Sequence, residues 1–145
     1  MTFSETIALP SLKDKVSATE WQTRVDLAAC YRLVEMAGMS DMINSHISAR
    51  IPGTEEFLIN PYGWLFEEVT ASSLVKIDLD GNILGRATED LGINPAGYVV
   101  HSAVHAARPD VGCVIHSHTR AGCAVAALKC GLLPISQKAM RFYGR

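Results

Sequence analysis

The chain has 145 residues, of which 48% are hydrophobic and 19% are charged, a composition typical of one globular domain and too apolar for a disordered segment. A net charge of −2 offers no basic surface for nucleic acid, and no apolar run reaches the roughly 18 residues of a membrane span. The N-terminus lacks the charged-then-apolar pattern of a secretion signal. We therefore expect a cytoplasmic protein without disulfides, whose four cysteines are buried, reduced thiols.

The first predicted element is a long helix. Ser17-Ala-Thr-Glu20 matches a capping box, the usual start of a helix. Trp21, Val25 and Met36 then recur at helical spacing with polar residues between them. The pattern predicts a helix from about Trp21 that carries its apolar face on these residues and ends at a capping glycine, Gly38.

Short alternating or apolar runs, separated by turn residues, predict four strands in the first half of the chain, at 44–50, 57–60, 74–78 and 82–84. Pro52-Gly53 predicts a hairpin between the first two, and Asp80-Gly81 is a tight-turn signal between the last two. The four strands together predict an antiparallel block.

The second half returns to helices. Pro95 predicts the start of a helix that runs from about Ala96 to Ala107. Three further elements are predicted at 111–119 (a buried strand), 120–130 (a helix capped by Gly131) and 132–135 (a strand). One α/β domain at 17–145, with helices packed over a mostly antiparallel sheet and a flexible arm at 1–16, fits these elements.

Two histidines spaced by one residue, His116 and His118, close the apolar run that begins at Val111. Side chains two apart on a strand leave the same side, with their Cα atoms about 6.6 Å apart, so the two imidazoles can converge on one ion. Imidazole suits divalent transition metals, and zinc is the default. Since zinc needs three or four ligands, a pair of structural strand-end histidines is the alternative interpretation.

The other candidate groups carry weaker signals. His101 and His105 lie four residues apart on the predicted helix and could face a second ion, although a packed histidine bonded to backbone is the simpler interpretation of His101. Asn44 and Gly63 lie near predicted turns, where small polar groups hold anionic or hydroxylated ligands or satisfy the turn backbone. His46, within the first strand, has no distinguishing signal.

Six motifs together resemble those of the class II aldolase/adducin family, over nearly the whole length from about Trp21 to Gln137. They are Asn44–Arg50, Leu58–Gly63, Val69–Asp78, Ala106–Val111, Val114–Thr119 and Gly131–Pro134. The segments Thr70–Lys76 and Leu128–Ile135 are most similar to the adducin-like branch. The resemblance implies a three-layer α/β/α domain with a central, mostly antiparallel sheet, of which this chain holds the N-terminal portion and is C-terminally incomplete.

The resemblance also implies a zinc site. In the sugar-phosphate aldolases and epimerases of this family, zinc is held by an HxH pair and by a third histidine much further along. By position, His116 and His118 take the first two ligand roles, and the third falls beyond Arg145.

Other family positions are altered in this chain. The acid/base glutamate of the aldolases corresponds to Gly97, which cannot transfer a proton. The serine pair that binds substrate phosphate corresponds to Pro95 and Ala96, which have no hydroxyl. Asn44 matches a phosphate-site asparagine, and with Gly63 it is the expected substrate-binding residue.

Two functions follow from this comparison. The first is a metal-dependent, lyase-like enzyme that acts on a small carbonyl or hydroxylated substrate. The second is a non-catalytic, adducin-like binding module of a cytoskeletal, actin-associated assembly, although the basic tail of adducins is not among these residues. A truncated fragment of a longer protein is a third interpretation. The resemblance further implies a homo-oligomer.

Overall fold

The computed structural model describes residues 9–144, and its elements are numbered in chain order. These elements are α1 (Ala18–Met36), β1 (His46–Arg50), β2 (Phe57–Ile59), β3 (Val75–Ile77), β4 (Ile83–Gly85), α2 (Pro95–Ala107), β5 (Cys113–His116), α3 (Arg120–Ala126) and α4 (Gln137–Met140). The four predicted strands of the first half and the first two predicted helices are confirmed. None of the described helices is long and apolar enough to cross a lipid bilayer.

The five strands form one sheet in the order β4-β3-β2-β1-β5, and every neighbouring pair is antiparallel. Gly53 and Gly81, in the two predicted turns, have φ angles of 81° and 84°, a region that glycine enters without strain. β5 arrives after α2 and pairs with β1, which places His116 opposite His46. The sheet thus places the first strand of the chain beside the last one, which forms an edge of the sheet.

Helix α1 covers one face of the sheet, and its predicted buried face is wrong. Val25 and Met36 are exposed, whereas the buried residues are Glu20, Arg24, Leu27, Tyr31 and Val34. Arg24 is fully buried because its guanidinium pairs with Glu20 and donates to the carbonyls of Ala71 and Leu74. The Ser17 hydroxyl accepts from the Glu20 amide at 3.1 Å as a capping box requires, but the Glu20 carboxylate turns to Arg24 and Lys76.

Helix α2 covers the opposite face. Asn94 caps it by accepting from the amides of Ala96 and Gly97, and Pro95 occupies its first turn. Its Tyr98 packs on a cluster of sheet and loop side chains that comprises Phe57, Ile59, Val75, Ile77 and Leu91. With α1 against a separate cluster around Ile47, Leu58 and Leu74, the three-layer α/β/α arrangement of the described residues agrees with the expectation.

The C-terminal quarter departs from the predictions. β5 is the edge strand of the described sheet rather than a buried one, and its Ile115 is exposed. Helix α3 ends at Ala126, four residues earlier than predicted, and no strand forms at 132–135. All four cysteines are free, but Cys113, Cys123 and Cys130 are exposed, so their predicted burial is wrong. A strand needs a partner for its backbone groups, and the described residues offer none at 132–135.

Of the predicted arm at 1–16, residues 1–8 lie outside the described residues. Within the remainder, Leu12 is buried, and its amide donates to the Ser72 hydroxyl at 3.2 Å. This contact holds the approach to α1 against the loop that precedes β3.

Candidate metal centre

All five histidines of the chain gather where β1 and β5 meet α2. His46 begins β1, and His116 ends β5 directly opposite it. His101 and His105 lie on α2 and are buried, and His118 follows β5 in the segment that leads to α3. The sheet register and one helix therefore assemble a cluster from positions that are far apart in sequence.

His116 and His118 point at each other. Their Nε2 atoms are 2.9 Å apart, and their rings stand nearly perpendicular with centroids 4.8 Å apart. The strand ends at His116, so His118 reaches this position from irregular backbone. The convergence of the two imidazoles is present in the structure, whereas metal binding by them stays a prediction.

Asp41 joins this pair from the loop between α1 and β1. Its Oδ2 lies 2.8 Å from Nδ1 of His118, and this hydrogen bond is the main cause that lowers the pKa of the Asp41 carboxyl. Asp41 was not among the residues predicted for the site. The one local signal was a carboxylate a few residues before a polar strand, which a solvated loop residue shows equally well.

The chemistry of the pair fits two positions of a zinc shell. A tetrahedral zinc ion with Zn–N bonds of about 2.05 Å holds two ligand nitrogens about 3.3 Å apart, so the rings need to separate by only a few tenths of an ångström. Within residues 9–144, however, no three or more His, Cys, Asp or Glu side chains are arranged to hold an ion. His116 and His118 therefore fit as part of a site, and the described residues do not complete it.

His46 fills the space beside Gly97. Its ring stacks on His116 with centroids 5.1 Å apart and an interplanar angle of 12°. A Cβ atom added at Gly97 would lie 2.9 Å from Nε2 of His46, closer than Cβ contacts occur. Burial, with smaller contributions from His116 and His118, lowers the pKa of His46 to about 4, so its imidazole is neutral at pH 7. No role was predicted for His46 from the sequence.

A buried hydroxyl joins the two histidines of α2. The Ser48 Oγ lies 2.6 Å from Nδ1 of His101 and 2.8 Å from Nε2 of His105, and all three residues are buried. Burial is the main cause that lowers the pKa of His101 to about 3 and of His105 to about 4. His101 is packed as expected, but its partner is a side chain rather than backbone. The imidazoles expected to face a second ion instead share Ser48.

The two predicted substrate-binding residues occupy different places. Asn44 is exposed in the loop that carries Asp41, and its amide N–H donates to the Asp41 carbonyl at 2.8 Å. Gly63 lies in an exposed turn after β2 with a φ of 85° and open space around it. The structure therefore brings Asn44 to the rim of the histidine cluster. No hydrogen bond among the described residues links Gly63 to it.

The comparison with known proteins identifies the family. Residues 25–145 match the model of the Class II Aldolase and Adducin N-terminal domain. The chain belongs to this family. It superimposes with a TM-score of 0.85 on the crystal structure of an aldolase II superfamily protein from Pseudomonas syringae, at 57% identity, covering 94% of this chain and 54% of that one.

Members of both branches of the family are similar to the chain. An L-fuculose 1-phosphate aldolase from Glaciozyma antarctica matches with a TM-score of 0.78 and 31% identity, over 89% of this chain and 54% of that one. Alpha-adducin from Mus musculus is 55% identical over 81% of this chain and 16% of its own length. The chain spans 51% and 52% of two bacterial relatives, from Pseudomonas aeruginosa and Caulobacter vibrioides. Family and fold are thus established over most of the chain.

Proposed function

We propose that the chain supplies the two-histidine part of a zinc centre in a lyase-like enzyme that acts on a small carbonyl or hydroxylated substrate. The observation that carries this proposal is the approach of the His116 and His118 Nε2 atoms to 2.9 Å at the end of β5. Its support from the comparisons is the similarity to an L-fuculose 1-phosphate aldolase at 31% identity. The remaining coordination positions fall to groups outside the described residues.

The residues around the pair have distinct roles in this proposal. His116 and His118 hold the ion through Nε2, and zinc bound there supplies Lewis-acid polarisation of a substrate oxygen. Asn44, exposed at the rim, offers an amide to a hydroxyl or anionic group of the substrate. Gly97 has no side chain to move a proton, and the neutral His46 lies directly beside it. At position 97 this chain therefore has no carboxylate for the proton transfer expected of the aldolase glutamate.

Zinc content tests the proposal. The protein at its full natural length, stripped of metal with excess chelator and then dialysed against zinc, should bind close to one ion per chain by elemental analysis. His116→Ala should abolish this binding because a single imidazole is left. Cys130→Ser, which removes an exposed thiol outside the pair, should leave it unchanged. A protein that takes up no zinc, or one whose zinc survives His116→Ala, would refute the assignment.

A second candidate function is a non-catalytic, adducin-like binding module. It is favoured by the 55% identity to alpha-adducin and by the lack of an acid/base side chain at Gly97. The described C-terminal region also exposes large apolar side chains, among them Leu133, Ile135 and Phe142, which suit a protein interface. Co-sedimentation with actin filaments at physiological salt is the test, and a chain that stays in the supernatant would remove this candidate for the chain alone.

We also propose self-association into a homo-oligomer, as the family resemblance implies. The same apolar residues are available for contacts between copies. Light scattering on the eluting protein gives the mass directly. A monomeric mass at concentrations of about 100 μM would contradict the proposal.

A further inference from the structure

Asp41 is held at the histidine pair by a closely bonded loop. Its amide N–H donates to the Ser45 hydroxyl at 3.1 Å, and its carbonyl accepts from Asn44 at 2.8 Å. Ser45 is buried, which anchors the loop to the start of β1. Met42, the next residue, has a φ of 45°, a conformation that side-chain-bearing residues seldom adopt. The backbone thus adopts an unfavourable conformation directly beside the carboxylate that contacts His118.

The contact between Asp41 and His118 determines which ring nitrogens of His118 and His116 carry hydrogen. An ionised carboxylate has only acceptor atoms, so Nδ1 of His118, 2.8 Å from the Asp41 oxygen, must carry the hydrogen. Nε2 of a neutral His118 is then a bare acceptor. Because that atom lies 2.9 Å from Nε2 of His116, the hydrogen between the two rings must belong to His116.

We propose that Asp41 is a positioning residue that fixes His118 in the Nδ1–H tautomer and so presents its Nε2 lone pair for coordination. The contribution of Asp41 to metal binding rests on the proposed function, whereas the tautomer of His118 does not depend on it. The two histidines are therefore unequal: His118 is ready to bind, and His116 must first move its hydrogen from Nε2 to Nδ1. No net proton is released in that exchange.

The side chains of Asp41 and His118 are each 40% exposed, and a contact between side chains so exposed contributes little to folding stability. Selecting a tautomer requires less interaction energy than stabilising the fold, because the carboxylate needs only to favour one of two ring positions for a single proton. The carboxylate therefore acts on the chemistry of the ring with little effect on the fold. This separation makes the proposal testable in a folded variant.

The test is the nitrogen spectrum of the histidine rings. In the metal-free protein at about pH 8.5, with 15N-labelled histidine, long-range proton–nitrogen correlations should show His118 protonated at Nδ1 and His116 at Nε2. Asp41→Ala should shift His118 toward the Nε2–H form, and Asp41→Asn should give a mixture because an amide presents either a donor or an acceptor. Asp26→Ala, which removes an exposed carboxylate bonded to Gln22 on α1, is the matched control and should change neither ring.

A zinc titration completes the experiment. Loss of a carboxylate that orients a ligand histidine typically weakens metal binding 10- to 100-fold, and Asp41→Ala should show a loss in this range. His118 protonated at Nε2 in the unaltered protein, or a ring spectrum that Asp41→Ala leaves unchanged, would overturn the proposal. The expected tautomers in a protein that binds no zinc would support the role of Asp41 and overturn the proposed function, so the two failures are distinguishable.

Discussion

Replacing Ser48 by alanine should destabilise the protein strongly, because one hydroxyl serves two buried rings. Its Oγ is 2.6 Å from Nδ1 of His101 and 2.8 Å from Nε2 of His105, and Ser48 is fully buried. A hydroxyl has one hydrogen and can also accept, so it donates to one ring and accepts from the other. In Ser48→Ala both ring nitrogens lose their partner and are too deep for water to replace it.

The expected size follows from these contacts. A buried polar group left without a partner costs about 1–3 kcal/mol, so two such groups predict a loss of about 2–4 kcal/mol after allowing for some relaxation of the rings. Within residues 9–144, Nε2 of His101 already has no hydrogen-bond partner, so loss of the Ser48 hydroxyl would leave both nitrogens of that ring unpaired.

Urea unfolding at about pH 8 measures the effect as a lower midpoint at an unchanged slope. The matched control is Ser102→Ala on α2, whose hydroxyl bonds the Val99 carbonyl near the surface at 3.3 Å. We expect the control to stay within about 0.5 kcal/mol of the unaltered protein. A Ser48→Ala midpoint equal to that of Ser102→Ala would refute the bridging role.

Three further outcomes are expected. Gly97→Ala should lower the free energy of unfolding by about 1–3 kcal/mol, because the new Cβ would lie 2.9 Å from the His46 ring. Stability should fall as the pH drops from about 6.5 toward 4, because the folded-state pKa values of His46 (about 4) and His101 (about 3) lie below the unfolded value and the unfolded chain binds protons first. Arg24→Met should cost about 3–5 kcal/mol, because it leaves the Glu20 carboxylate buried without its main partner.

Each of these has its own control. Gly92→Ala has open space around the new Cβ and should be neutral, and His46→Ala should rescue Gly97→Ala if the ring is the obstacle. Thermal melting measures both. For the pH series, urea midpoints at about pH 8, 6 and 5 should decline steadily, and a flat or rising series would contradict it. Arg108→Met removes an exposed ion pair and should leave the urea midpoint nearly unchanged.

The sequence predicted the order of the elements well because turns and caps are local. Pro95 and the glycines at 53 and 81 act through their own backbone conformations, so their effects can be recognised without knowing what packs nearby. The buried face of α1 could not be found this way. Arg24 is buried because it pairs with Glu20 and with carbonyls that precede β3, and those partners are known only once the chain is folded.

Some residues of the candidate site could likewise be predicted from the sequence, and others could not. The sequence predicted the convergence of His116 and His118 from the period of two of a strand. The two imidazoles do converge, but the strand ends at His116, so His118 reaches its position from irregular backbone that the period does not describe. Asp41 and His46 were missed because their positions depend on which strand lies beside β5 and on how the loop after α1 closes. The family resemblance showed that Gly97 replaces a carboxylate. It could not show that the His46 ring occupies the space beside this glycine.

Tyr31 gives α1 a further influence on this cluster. The last paired residues of β1 and β2 toward the site are Ser48 and Ile59, so Ile47 and Asn60 face each other at the next step. There the Tyr31 hydroxyl accepts from both amides, at 2.9 Å and 3.1 Å, and its one hydrogen points to the Ile47 carbonyl and the Asn60 side-chain oxygen. The phenol oxygen of Tyr31 therefore bridges the two strands by hydrogen bonds immediately beside His46. A displacement of α1 would move this oxygen and with it the backbone of Ile47, the residue next to His46. The helix on the opposite face of the sheet from α2 is therefore linked to the histidine cluster.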